Sequence, residues 1–317
     1  MEKKKIKAER SLNVVKQNDI VQKARYKLDL VQQKTIMYLI SKINSMKDVE
    51  FRDITVDVKD LCEIMGIAYN GRSIKELKDS IQKLSDKSMW VELGDVDDSI
   101  TLMRWLDEVT IKRGRGTVTV RFDDKMAPYL LQIQERFTQY KLVNVLPMKS
   151  QYSLRLYELV KSHEAQGKWE ITLEELKKNL FLESGTYEDY RVFRRKILDV
   201  AILEICNFSD LIVAFEVKRR DRKIYSITFE MCDCRISRTE HVRREINRTT
   251  VLDNLPAKIV PPRKMPTVKE IREEREKQRK AVELDKMIKK HTRAKSAGGA
   301  SMRDDYMPGQ TAIEELM

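Results

Sequence analysis

The order in which hydrophobic periodicities follow one another constrains this chain more than any single motif, because the same order occurs twice. In the first half, Leu30, Ile36, Leu39, Ile40 and Ile43 recur at helical spacing. The stretch "ITVDVKDLCEIMGI" predicts a short strand at Ile54–Val56, then a helix from near Asp57 that Gly66 ends. "GRSIKELKDSIQKLSDKS" predicts a further helix. Its stripe is Ile74, Leu77, Ile81 and Leu84, with Lys75, Lys78 and Gln82 on another face and Ser73 and Glu76 reading as a capping box. Three strand-like runs follow, Met89–Leu93, Leu102–Lys112 and Thr117–Phe122. The turns between them are the acidic "GDVDD" and the basic "RGRG".

The second half repeats the order with little identity of letters. "SQYSLRLYELVKSHEA" reads as a helix with Leu154, Tyr157, Leu159 and Val160 inward, and "WEIT" as a short strand. "TLEELKKNL" reads as a helix that Thr172 and Glu175 cap, and "DYRVFRRKILDVAILEIC" as the next helix. "LIVAFEVK" and "KIYSITFE" alternate as strands around an arginine-rich turn. Helix, strand, helix, helix and antiparallel strands is the order of a winged helix, a helix-turn-helix with a β-hairpin wing. The expected fold is α+β: two tandem winged-helix domains with a basic C-terminal tail, partly helical or disordered. The expected divisions are a charged N-terminal tail at 1–12, a first domain at 13–135, a second at 136–234 and the tail at 235–317. Within the tail, residues 266–292 hold good helix formers and i,i+4 pairs such as Glu273 with Lys277 and Glu276 with Lys280.

Charge narrows the partners. The net charge is +12 and the pI about 9.3, which favours a polyanion, either nucleic acid or an acidic membrane surface. Residues 235–317 hold 20 basic and 13 acidic side chains, and residues 1–10 hold five and two, so the segment between is close to neutral. Local clusters there matter more than the total. No window supplies the roughly 18 apolar residues of a membrane helix. "MEKKKIKAER" lacks the apolar run of a secretory signal. Cys62 and Cys206 sit alone in apolar runs, as buried thiols of a reduced cytoplasmic protein do.

One local cluster stands out. At the helical step of about 100° per residue, Arg194 and Arg195 fall within roughly 60° of Arg191, opposite Phe193, Ile197, Val200 and Ala201. Lys196 falls to one side. This is the third helix of the second unit, the one that enters a major groove in winged helices. Arginine there can bridge guanine O6 and N7 or pair with phosphates. The turn "KRRDRK" puts Lys218, Arg219, Arg220, Arg222 and Lys223 at a hairpin tip, where a wing meets the phosphate backbone. The bland alternatives are a solvated helix face and a charged tip that keeps an edge soluble. In the first unit the equivalents are weaker: Lys75 and Lys78 on the helix, Lys112, Arg113 and Arg115 at the turn.

Catalytic constellations are missing. His163, His241 and His291 are far apart, with no His-x-His pair beside a tyrosine nucleophile. "GRGRGT" lacks the lysine and hydroxyl residue of a phosphate-binding loop. Cys232, Cys234 and His241 have the wrong spacing for a zinc knuckle. Asp123 and Asp124 are adjacent, so on a strand they point to opposite faces, and they are expected to cap the next turn. The expectation is no enzyme, no metal and no cofactor.

"VVKQNDIVQKARYKLDLVQQKTIMYLISKI" resembles the opening of plasmid replication initiators that bind iterons. "FTQYKLVNVLPMKSQYSLRLYELV" is similar to their domain-junction signature, through Phe137, Thr138, Tyr140, Ser150, Tyr152, Arg155, Leu156, Tyr157, Glu158 and Leu159. "FRRKILDVAILEIC" followed by "SDLIVAFEV" is similar to their second recognition helix and wing, although Cys206 displaces the family's usual asparagine, with Asn207 next. The resemblance covers roughly residues 13–231. It implies a cytoplasmic, plasmid-associated protein that binds double-stranded DNA at direct repeats of an origin and at its own promoter. It further implies initiation by the monomer, autorepression by a homodimer in equilibrium with it, and recruitment of the host replicative helicase and host initiator. Members are sometimes labelled with DNA-directed DNA polymerase activity, for which no residue set is found here. The alternative is a winged-helix transcriptional regulator with no role in initiation.

Overall fold

The fold is taken from a computed structural model that describes residues 2–92, 100–112, 116–183, 185–233 and 265–297. In chain order it has α1 (Glu2–Arg10), β1 (Asn13–Gln17), α2 (Asn18–Gln22), β2 (Ala24–Arg25), α3 (Leu30–Ser41), β3 (Ile54–Asp57), α4 (Val58–Met65) and α5 (Gly71–Ser85). Then come β4 (Ser88–Glu92), β5 (Ile100–Arg104), β6 (Leu106–Lys112), β7 (Thr117–Phe122), α6 (Ala127–Leu130) and β8 (Phe137–Lys141). Next is α7 (Gln151–Ser162), and the second unit follows with β9 (Lys168–Thr172), α8 (Leu173–Asn179), α9 (Tyr190–Phe193), a π-helical turn (Arg194–Leu198), α10 (Asp199–Phe208), β10 (Leu211–Arg220) and β11 (Lys223–Asp233). A last helix is α11 (Val268–Ala297).

Both units are winged helices. In the first, β3 pairs with β7 and β7 with β6, all antiparallel, under α3, α4 and α5. Asp57 accepts the Lys59 N–H at 2.7 Å to start α4, and left-handed Gly66 stops it. Helix α5 starts one turn earlier than its sequence suggests. Asn70 caps it by accepting the Ser73 N–H at 2.9 Å, so Ser73 lies inside the helix and the expected Ser73–Glu76 box does not form. The stripe does its work regardless: Leu77, Ile81 and Leu84 are buried and Ile74 packs against them. Helix α3 gains the reciprocal box instead, Asp29 with Gln32.

The single strand expected over Leu102–Lys112 is two strands in different sheets. β5 pairs with β4 and β6 with β7. Trp105 and Leu106 are both buried at 1% exposure, and consecutive residues of one strand point to opposite faces. The chain turns there from one sheet into the next. β2, β4 and β5 form the extra sheet.

In the second unit, β11 lies between β9 and β10. Thr172 caps α8 by accepting the Glu175 N–H at 3.2 Å. Phe193, Ile197, Leu198, Ala201 and Ile205 are buried against Leu176, Val213, Ile227 and Phe229. Val200, expected inward with them, is only half-buried.

Residues Glu2–Arg10, expected as part of a charged tail at 1–12, are helical. Ile6 is buried, Lys5 pairs with Asp60 at 2.5 Å, and Arg10 donates to the Glu63 carbonyl at 2.6 Å. β1 then pairs antiparallel with β8, Val15 opposite Gln139. Behind that pair, the buried ammonium of Lys16 meets Glu158 at 2.5 Å, and Tyr140 donates to the same carboxylate at 2.6 Å. Burial alone would raise the Glu158 pKa; Lys16 and then Arg155 outweigh it and hold the carboxyl below its ordinary value. Arg155, 1% exposed, donates to the Ala24 and Asn179 carbonyls and the Tyr26 hydroxyl, so α7 is tied to both units.

Candidate nucleic-acid interface

The third helix of the second unit begins at Asp189, whose carboxylate accepts the Arg191 N–H at 2.8 Å. The same carboxylate pairs with the Arg191 guanidinium at 3.0 Å, which holds Asp189 below the usual carboxylate range. Arg191 is thus folded back on the cap while staying 90% exposed.

Beyond Phe193 the helix widens into the π turn. Arg194, Arg195 and Lys196 are exposed in succession, between Phe193 and the buried Ile197–Leu198 pair. A regular 100° step sets Lys196 apart from the two arginines, and in the π turn it is exposed like them. The π turn also joins residues five apart: Arg194 Nε meets Asp199 Oδ1 at 3.3 Å. The Arg194 guanidinium lies 5.4 Å from the centre of the Phe215 ring on β10, so this side chain bridges helix and wing. Among the described residues, Arg195 and Lys196 form no ion pair.

The wing is the β10–β11 hairpin, closed by Asp221 and Arg222 with φ of 50° and 65°. Two left-handed residues give the strand-matching turn, usually at an Asn-Gly or Asp-Gly pair. A register shift between Lys218 and Arg219 bends the strand before its tip. Lys218 pairs with Glu170 at 2.6 Å, and the Arg220 guanidinium sits 5.8 Å from the Tyr225 ring centre. Arg219, Arg220, Arg222 and Lys223 are exposed. Tyr190 marks where helix and wing meet. Burial raises its phenol pKa, Arg194 opposes, Asp199 adds and Arg219 opposes. Its buried hydroxyl has no hydrogen-bond partner among the described residues.

The structure thus exposes Arg194, Arg195, Lys196 and the wing cations Arg219, Arg220, Arg222 and Lys223 on the second unit, while Arg191 is paired with its own cap. In the first unit, Lys75 is exposed and Lys78 half-buried on α5, and Lys112 is exposed at the end of β6; Arg113 and Arg115 lie outside the described residues. Sequence reasoning missed Asp199 and Phe215, which aim Arg194. An i,i+5 contact has no signal in a 3.6-residue pattern, and Phe215 reads as one more alternating apolar residue.

Among the described residues, no three His, Cys, Asp or Glu side chains converge as metal ligands, and no helix is long and apolar enough to cross a membrane. Cys234 and His241 lie outside the described residues.

Residues 13–161 match the family described as Initiator Replication protein, WH1, and residues 172–231 match Initiator Rep protein, WH2. Among curated proteins, an uncharacterized 27.6 kDa protein of Escherichia coli is 23% identical over 223 residues, spanning 67% of this chain and 93% of that relative. The PI protein of Escherichia coli is 28% identical over 148 residues, 41% of this chain and 48% of the relative. A replication initiation protein of Escherichia coli is 26% identical over 140 residues, 42% and 40% of the two chains. Among solved structures, the Pi initiator protein in complex with iteron DNA aligns with a TM-score of 0.59 at 22% identity, over 71% of this chain and 98% of that one.

Proposed function

Since this chain belongs to the initiator replication protein family, through both of its winged-helix domains, we propose that it binds duplex DNA at tandem repeats of a plasmid origin and starts replication there. The observation that supports this reading is the set of exposed cations on the second unit: Arg194, Arg195 and Lys196 on its third helix, and Arg219, Arg220, Arg222 and Lys223 at the tip of the wing that Arg194 contacts through Phe215. A helix of this kind fits a major groove, and a wing fits the adjoining phosphates. Arg191 and Lys218, already paired within the chain, exchange those partners for phosphate. Lys75, Lys78, Arg113 and Arg115 supply a weaker contact from the first unit. The solved Pi initiator protein is a complex with iteron DNA, the ligand class proposed here.

The finer reading has a homodimer in equilibrium with the monomer, repression of its own promoter by the dimer, and recruitment of the host helicase and host initiator by the DNA-bound monomer. An apolar pair supports the dimer: Trp90 and Leu102 face each other across β4 and β5 while 52% and 46% exposed.

Footprinting the full chain on DNA flanking its gene tests the proposal. Protected direct repeats, spaced by about two helical turns, are expected; a flank without any protected repeat overturns it. Deleting the gene from the plasmid is expected to abolish replication. A plasmid that still replicates leaves only the transcriptional regulator.

A further inference from the structure

The back of the second unit's sheet, opposite the recognition helix, carries an arrangement that the two matched domains do not contain. Ile212, Ala214, Glu216 and Lys218 alternate onto that face from β10. Their antiparallel partners on β11 are Cys232, Glu230, Thr228 and Ser226, and β9 adds Lys168, Glu170 and Thr172 opposite Glu230, Thr228 and Ser226. Three carboxylates, Glu170, Glu216 and Glu230, therefore crowd the root of a wing whose tip is cationic. Lys218 answers Glu170 at 2.6 Å. Glu230 is 1% exposed, and a buried carboxylate needs a partner.

That partner comes from beyond residue 231, where the family match ends. Thr267 and Glu270 cap each other's backbone at the start of α11. In its first two turns, Val268 and Ile271 bury against Ile212, Ala214 and Cys232. Arg272 reaches Glu230 at 3.0 Å and Glu216 at 3.4 Å, while Arg275 reaches Glu230 at 2.8 Å and donates to the Gly167 carbonyl. A Cβ at Gly167 would collide with that guanidinium.

We propose that residues Val268–Arg275 are a clasp belonging to the DNA-binding unit: Arg272 and Arg275 neutralise Glu216 and Glu230, and so let the wing approach phosphate without carboxylates at its root. The proposal rests on the second unit binding DNA, as argued above. Arg272 and Arg275 are positioning residues on the far face of the sheet. Their effect travels through the field of the hairpin, so it should be the same on every DNA sequence and fade with salt.

The experiment uses the full chain, the duplex carrying the direct repeats and an unrelated duplex of equal length. Replacing Arg272 and Arg275 together by Ala should weaken binding to both duplexes by a common factor of roughly fivefold at low salt. Adding Glu216→Gln to that variant should recover part of the loss, with Glu230 still unanswered, which a purely structural role would not allow. Unchanged binding, or a loss that Glu216→Gln leaves intact, overturns the proposal. A parent protein that binds neither duplex removes the DNA reading instead. Docking is then read by iodoacetamide labelling of Cys232, mapped by mass spectrometry. Ile271→Asp should raise that labelling; no rise overturns the clasp itself.

Discussion

Arg194 shows how one side chain can be held for use without being buried. Asp199 fixes its Nε and Phe215 lies under its guanidinium, so little rotamer freedom is left to lose on binding. Arg195 next to it has no such hold among the described residues. If these arginines read bases, Arg194→Ala and Arg195→Ala should each cost about 1–3 kcal/mol on the repeat and little on unrelated DNA. Equal losses on both duplexes, measured by titration at fixed salt, would make them phosphate contacts. Lys34 is the opposite case. It is 8% exposed on α3, its ammonium donates to the Leu146 carbonyl at 2.6 Å, and burial lowers its pKa to about 8, with Glu204 opposing and Lys149 adding. The charged form is penalised in the folded chain, so the penalty is complete below pH 8 and disappears as pH rises toward the ordinary lysine value. Lys34→Met should therefore stabilise the protein by about 3 kcal/mol near pH 7. Its advantage over the parent in urea unfolding should shrink between pH 8 and 10; an advantage independent of pH would contradict this origin.

At the scale of elements, the winged-helix order was legible where an element carries a stripe of the right period, as Leu77, Ile81 and Leu84 do on α5, whereas β1, α2, β2, α6 and β8 were not expected. What was not legible depended on partners far away in sequence. Helix α1 has one buried apolar residue, Ile6, and is held by Asp60 and Glu63, so its letters read as a solvated tail. In α11, expected over 266–292 and found over Val268–Ala297, the thin stripe of Val268 and Ile271 is enough because ion pairs to Glu230 complete the contact. The π turn escaped because no sequence signal distinguishes Arg194–Leu198 from regular helix. The wing's basic tip was plain in the letters, but its turn carries a conformational cost that they hide. Arg222 sits at φ 65° where glycine is at ease. Arg222→Gly should stabilise the fold by about 1 kcal/mol in thermal unfolding. It should also weaken DNA binding alike on all sequences and lower the salt slope by about one unit. Stabilisation with unaltered binding would take Arg222 out of the interface.

For the molecule as a whole, the buried charges around α7 join elements far apart in the sequence. Lys16→Met leaves Glu158 buried with only Tyr140 and Arg155 to answer it, and should cost about 3–5 kcal/mol. With its pKa held low in the parent, Glu158 adds stability that is present above the ordinary glutamate value and lost as pH falls through the folded one. In Lys16→Met the acid unfolding midpoint should move to higher pH; an unmoved midpoint would mean that Lys16 does not govern this carboxylate. The β1–β8 pairing carries a consequence for synthesis. Strand β1 leaves the ribosome long before β8 and finds its partner only after Phe137–Lys141 has been translated. Until then Val14, which ends fully buried, has no strand to meet, and the first unit waits with its entrance unsewn. Such a closure is slow compared with helix formation. A chain stalled before residue 137 would therefore carry β1 loose, available to proteases and to the same strand of a neighbouring nascent chain.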